Sequence, residues 1–113
     1  MNKKTIREFV LKLGITPDLS GYEYIISAIE LLMNKKISSY TSLYVAVAEI
    51  HHTTSSKVER AIRHAVTTIL NSFGGFDLLQ EIFHCSILSE KLPNSKFLAL
   101  CVETLKYDRV GEL

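Results

Sequence analysis

The side chains of this 113-residue chain that are best suited to chemistry are concentrated in one polar stretch, residues 54–67. At the rotation of an α-helix, about 100° per residue, this stretch divides into two faces. One face is apolar, and the other carries Ser56, Lys57, Arg60, Arg63, His64 and Thr67. Cations and small polar groups on one helix face are the donors that proteins use toward base edges and phosphates in DNA. The pattern therefore predicts a DNA-reading helix.

The residue types suggest separate roles on this helix. Lys57 and Arg60 are expected to donate to guanine, and Glu59 is expected to accept from a cytosine amine. The residues expected to contact phosphates and to set the register are Thr54, Ser56, Arg63 and His64. Thr54 or Ser56 can cap this helix. Ser56-x-x-Glu59 fits a capping box, which would make Glu59 a helix cap. A solvated side chain is the alternative reading of His64.

The sequence contains no comparable pattern for an enzyme active site or a metal site. The four histidines form no HExxH motif, and with the distant Cys85 and Cys101 they give no zinc-ligand spacing. Gly74-Gly75 lacks the Lys-Ser/Thr of a phosphate loop, and no Ser lies in a GxSxG frame. We expect no enzymatic activity, no metal and no cofactor. The two cysteines are predicted to be reduced core residues.

A helix-turn-helix is the element expected to position the polar face. A short apolar helix beginning near Thr41 runs into a polar break, His52–Ser55, and the predicted recognition helix follows over about 55–71. The apolar stripe that would anchor this second helix is Val58, Ala61, Ile62, Ala65 and Ile69. His52 stands where many such turns carry Gly with positive φ. An ordinary amphipathic helix pair inside a core is the alternative.

The remaining segments are also predicted to be helical. Gly14 ends a first helix over 3–13, and Ser20-x-x-Glu23 is a capping box for a second. After a break at Phe73–Phe76, a short helix is expected from Asp77, and Asn94 is predicted to be the N-cap of the last helix. The sequence thus predicts an all-α fold of about six helices with a central helix-turn-helix, in the class of winged-helix-like effector domains.

Length and composition support one domain over residues 1–113, since 47% hydrophobic residues are enough for a core. With no apolar run of membrane-spanning length and no signal peptide, a cytoplasmic location without membrane association is expected. The net charge is only +1. Residues 53–71 carry three basic and one acidic side chain, and residues 72–113 carry four and six. This distribution predicts a small footprint on double-stranded DNA, with two copies acting as a homodimer or in tandem.

Several motifs resemble the effector domain of the sporulation master response regulator of endospore-forming bacteria. The stretch Val58-Glu59-Arg60-Ala61-Ile62-Arg63-His64-Ala65 resembles its recognition helix. Further matches are Ile6-Arg7-Glu8-Phe9, Leu13-Gly14-Ile15, Gly21-Tyr22-x-Tyr24, Leu43-Tyr44-x-Ala46-Val47-Ala48, Glu81-Ile82-Phe83 and Asn94-Ser95-x-Phe97-x-Ala99. The resemblance implies six helices, binding to a short box of the TGTCGAA type, often in tandem copies, and activation or repression of transcription.

The resemblance also implies a contact with the RNA polymerase sigma factor after the recognition helix, here through Gln80, Glu81 and His84. A plain packing helix is the alternative. Lys57 stands where the family usually has Arg, and His51 replaces a family Phe. The family usually carries an N-terminal receiver domain, whereas this chain starts at Met1 in the effector region, so we expect no receiver domain.

Two other functions remain open. One is that of a protein partner that antagonises a full-length regulator. The other is that of an architectural DNA-binding protein of a plasmid or phage.

Overall fold

Six α-helices make up the fold. The computed structural model describes residues 2–34, 37–84 and 91–111, and within these ranges every regular element is helical. The helices are α1 (Lys3–Lys12), α2 (Gly21–Met33), α3 (Tyr40–Ile50), α4 (Ser55–Asn71), α5 (Gly75–Phe83) and α6 (Asn94–Gly111). The predicted all-α class with a central helix-turn-helix is confirmed. Among the described helices, none is both long and apolar enough to cross a membrane.

The core lies around α2 and α4, which pack against each other and against α3 and α6. Each of these helices places an apolar stripe on this core because its aliphatic residues recur at helical spacing. The largest side chains that are fully buried include Ile6, Leu13, Ile25, Ile29, Leu43, Ile62, Leu79, Phe97 and Leu98. Cys101 is also buried and free, as predicted, and burial raises the pKa of its thiol. Cys85 lies outside the described residues.

The ends of α1 follow from local sequence. Asn2 is its N-cap, and the Asn2 side chain accepts a hydrogen bond of 2.9 Å from the backbone N–H of Thr5. After the helix, Gly14 takes a φ of +97°, a conformation that favours glycine. The prediction that Gly14 ends this helix is confirmed.

The predicted capping box at the start of α2 is wrong. Ser20 has helical backbone angles and its side chain makes no capping hydrogen bond. Glu23 instead accepts two hydrogen bonds from the Arg7 guanidinium of α1, at 2.8 and 3.0 Å. A long-range bidentate ion pair therefore uses the carboxylate that the sequence assigned to a local cap. This pair joins α1 to α2.

The short helix α5 begins at Gly75, two residues before the predicted start at Asp77. Gly74 precedes it with a φ of +77°. A Cβ on Gly75 would lie 1.9 Å from the carbonyl oxygen of Ile69, so only glycine allows α5 to turn back this closely onto the end of α4. The Gly-Gly break is therefore a packed corner.

Candidate nucleic-acid interface

The turn between α3 and α4 ends the first helix in a Schellman motif. The N–H of Thr53 donates to the carbonyl of Ala48 at 2.9 Å, and that of His52 donates to the carbonyl of Glu49 at 3.4 Å. His52 has a φ of +54°, as predicted for this position. The backbone conformation that reverses the chain is therefore formed with a histidine where glycine is usual. This turn sets the angle at which α4 leaves α3.

The recognition helix α4 is capped by Thr54. The Thr54 hydroxyl oxygen accepts a hydrogen bond of 3.2 Å from the backbone N–H of Lys57, and the Thr54 backbone is extended as an N-cap requires. Ser56 lies inside the helix, so the predicted capping box of Ser56 and Glu59 is wrong. The helix begins at Ser55, two residues too early for that box. Glu59 is consequently available for other contacts.

The two faces of α4 divide largely as the sequence predicts. The buried residues are Val58, Ile62, Ala65, Val66 and Ile69. Ala61, which was predicted to lie on the apolar stripe, is only half-buried. Val66, which was not predicted to lie on the stripe, is buried. All six polar residues of the outer face are exposed: Ser56, Lys57, Arg60, Arg63, His64 and Thr67. We call this set the cationic face of α4.

One carboxylate borders the cationic face. Arg63 donates to the carboxylate of Glu59, one turn earlier on the same helix. This order, with the acid nearer the helix N-terminus, is the favourable one for residues four apart. Among the described residues, Lys57 and Arg60 form no salt bridge with an acidic side chain. Their charges therefore remain available to an anionic partner.

His51 links the turn to α2. Its Nε2 lies 2.8 Å from the hydroxyl oxygen of Ser27, and its ring meets the Tyr24 ring edge-on, with centroids 5.0 Å apart. The polar ring is half-buried, and its hydrogen bond offsets the desolvation of the imidazole. The structure thus accommodates this histidine by pairing it with a buried serine. Sequence spacing gave no indication of this contact.

A close backbone approach positions α4 against α2. A Cβ placed on Gly21 would lie 2.4 Å from the carbonyl oxygen of Ala61 and 3.1 Å from the Cβ of Ala65. Only a residue without a side chain allows the start of α2 to lie this close to the middle of the recognition helix. Gly21 therefore sets the depth at which α4 packs into the core. In the sequence, Gly21 stands out only as part of the motif Gly21-Tyr22-x-Tyr24.

Asn94 contacts the recognition helix and does not cap α6, so its predicted N-cap role is wrong. Its side-chain amide donates to the carbonyl oxygen of Glu59 at 3.0 Å, while its Oδ1 has no hydrogen-bond partner within the described part of the chain. Beside it lies an open cleft of about 800 Å³ between α4 and the start of α6. Tyr40 and Tyr44 of α3 and Arg63 and Thr67 of α4 also line this cleft.

Two of the residues predicted to contact a polymerase, Gln80 and Glu81, lie on α5, and the third, His84, is its C-cap. Glu81 and His84 are exposed, whereas Gln80 is half-buried. Phe73, just before this helix, is fully exposed, and Leu78 is also exposed. The segment that follows the recognition helix therefore exposes both apolar and polar side chains.

The family comparison agrees with this architecture. A family model described as the C-terminal part of sporulation initiation factor Spo0A matches residues 6–105. The chain belongs to this effector family. Spo0A C-terminal domains are helical DNA-binding domains rather than catalytic ones, so double-stranded DNA is the partner class. The match extends from α1 into α6 and includes the whole helix-turn-helix.

Proposed function

We propose that this protein is a sequence-specific transcriptional regulator that reads a short box in the major groove through α4. The observation that carries the proposal is the cationic face of α4, which is exposed along its length while the opposite face is buried. A helix presented in this way can lie in the groove without losing its core contacts. Family membership supports DNA as the ligand.

Lys57 and Arg60 are proposed as the main readers of bases. Both lie in the first two turns of α4, the part of a recognition helix that enters the groove. Arg60 can donate two hydrogen bonds to the O6 and N7 atoms of one guanine. Lys57 is a single flexible ammonium group, so it would discriminate less sharply than the arginine usual in the family. Box preference is therefore expected to depend most on Arg60.

Glu59 is proposed to accept a hydrogen bond from a cytosine amine at the edge of the face. Its ion pair with Arg63 holds the carboxylate in place beside the groove-facing cations. The proposed phosphate contacts are Thr54, Ser56, Arg63 and His64, all of them near or on the same exposed surface. Such contacts fix register and carry no sequence information.

The proposal is tested by fluorescence anisotropy with a labelled duplex carrying the TGTCGAA-type box and with a scrambled duplex, across a salt series. Tighter binding to the box that weakens steeply with salt is expected. Arg60→Ala should cost about 1–3 kcal/mol on the box. The loss on the scrambled duplex should be smaller, because only the specific complex uses the base contact.

Lys12→Ala is the matched control for charge. Lys12 is exposed at the end of α1, which packs on α2 rather than on the recognition helix. Both substitutions lower the net charge by one, so a purely electrostatic effect would appear in both. Equal affinity of wild type for both duplexes would contradict sequence-specific reading. An Arg60→Ala variant with wild-type discrimination would show that α4 does not read the box through this residue.

A second function is favoured by the exposed Phe73. A fully exposed aromatic side chain next to Leu78 and the polar groups of α5 is typical of a protein-binding surface. The partner proposed from the family is the polymerase sigma factor, and a full-length regulator is the alternative. A pull-down without DNA, comparing wild type with Phe73→Ser, tests this idea. Retention of the sigma factor by wild type alone would support it, and equal retention by both proteins would contradict it.

A further inference from the structure

Asn94 is a polar residue in an interior position of the fold. Only 9% of its surface is exposed, and it lies at the start of α6, which is anchored in the core by Phe97 and Leu98. Its Nδ2 donates to the carbonyl oxygen of Glu59 in α4. Tyr44 of α3 lines the same cleft as Asn94. One amide therefore joins the recognition helix to the last helix.

The arrangement is poor for stability alone. Asn94 Oδ1 is buried and has no hydrogen-bond partner among the described residues. A buried acceptor without a partner costs free energy that an apolar side chain of similar size would avoid. The carbonyl of Glu59 lies within α4 and does not need a second donor, since the helix itself supplies one. Core stability therefore does not explain an asparagine at this position.

The location of the contact suggests another explanation. The carbonyl of Glu59 belongs to the same part of α4 as Lys57 and Arg60. A directional hydrogen bond at this point opposes rotation and sliding of α4, whereas apolar packing is non-directional. The side chains that would meet base edges are thereby held in one orientation relative to α6.

We propose that Asn94 is a positioning residue for DNA recognition, which orients the first turns of α4 by tying them to the start of α6. The inference rests on the proposed function of α4. Asn94 itself contacts no base. Its effect on discrimination comes through Lys57 and Arg60.

Asn94→Leu tests the proposal, because it keeps the size of the side chain and removes both the donors and the orphaned acceptor. The variant is expected to be as stable as wild type or more stable in urea unfolding. The ratio of its affinities for the box and the scrambled duplex is expected to fall roughly fivefold or more. A loss of folded protein lowers both affinities equally, so this ratio separates positioning from stability.

Ser95→Ala is the control, since Ser95 is the exposed neighbour of Asn94 in the same turn. It should change neither stability nor the affinity ratio. If Asn94→Leu does not fold, Asn94→Ala is measured in the same way.

The outcomes are distinct. If wild type does not distinguish the two duplexes, the proposed function fails, and the inference fails with it. If wild type distinguishes them and a folded Asn94 variant keeps the same ratio, the inference alone is overturned. A stable Asn94 variant with reduced discrimination would support it.

Discussion

Gly21→Ala is predicted to destabilise the protein through a clash with the recognition helix. The added Cβ would lie 2.4 Å from the carbonyl oxygen of Ala61, whereas ordinary contact begins near 3.4 Å. The start of α2 and the middle of α4 must therefore separate by about 1 Å, or the neighbouring backbone must distort. The obstructing atom is a backbone carbonyl within a helix, which cannot rotate away as a flexible side chain can.

The magnitude follows from two opposing effects. Overpacking a close contact costs about 1–3 kcal/mol. Alanine recovers up to about 1 kcal/mol because it favours helix more than glycine does. The expected loss in the free energy of unfolding is therefore about 1–2 kcal/mol, which lowers the Tm by roughly 4–10 °C in a domain of this size.

Thermal unfolding followed by far-UV circular dichroism, together with urea unfolding, measures this change. The urea midpoint should fall with little change in slope, because the surface exposed on unfolding is the same. Ser20→Ala is the control, since Ser20 is exposed and makes no capping hydrogen bond, and it should stay within about 0.5 kcal/mol of wild type. Gly21→Ala with a Tm equal to or above that of wild type would refute the close approach of α2 and α4.

Three further predictions concern caps, turn and ion pair. Thr54→Ala should lower the free energy of unfolding by about 1 kcal/mol, whereas Ser56→Ala should change it by less than about 0.5 kcal/mol; equal urea midpoints would show that Thr54 is not the cap. His52→Gly should raise the free energy of unfolding by up to about 1 kcal/mol, because glycine adopts the left-handed conformation without a Cβ penalty. A Tm below that of wild type would contradict this prediction. Glu23→Gln should cost up to about 1 kcal/mol at neutral pH, since the pair with Arg7 is partly exposed. The Arg7 hydrogen bonds hold the pKa of Glu23 below its ordinary value of 4.5, so this contribution is complete above that pH and disappears as the pH falls through the lower folded-state pKa. Thermal unfolding of wild type and Glu23→Gln from neutral to acid pH measures it, and a difference that persists at the acid end would contradict the pairing.

The helices and the faces of α4 could be predicted from the sequence because they depend on local periodicity. Val58, Ile62 and Ile69 recur at helical spacing, and this recurrence alone indicates which side of the helix is buried. The turn could also be predicted from local sequence. A short polar break between two apolar helices leaves His52 as the residue that must reverse the chain. The prediction of a left-handed conformation there is confirmed.

Several predicted caps were wrong because more than one residue near the start of a helix can serve as its cap. Thr54 and Ser56 are both residue types that can cap a helix. Only the backbone angles of the folded chain show that Thr54 lies outside α4 and Ser56 inside it. Ser20 and Asn94 also fit capping patterns. The structure uses neither, because Glu23 pairs with α1 and the Asn94 amide contacts α4.

By itself, the sequence determined the all-helical class, the helix-turn-helix and the cationic face of α4, since each follows from the spacing of residues along one helix or turn. Family membership could likewise be recognised from the sequence, because the family model matches residues 6–105. Only the tertiary structure decided how α4 is held. Gly21 and Asn94 contact α4 from distant positions in the chain, and His51, beside the turn, contacts Ser27 of α2. The residues in these contacts lie 24 to 44 positions apart. Helical periodicity specifies which face of a helix is buried, but the partner that meets that face is chosen by packing among all the helices at once.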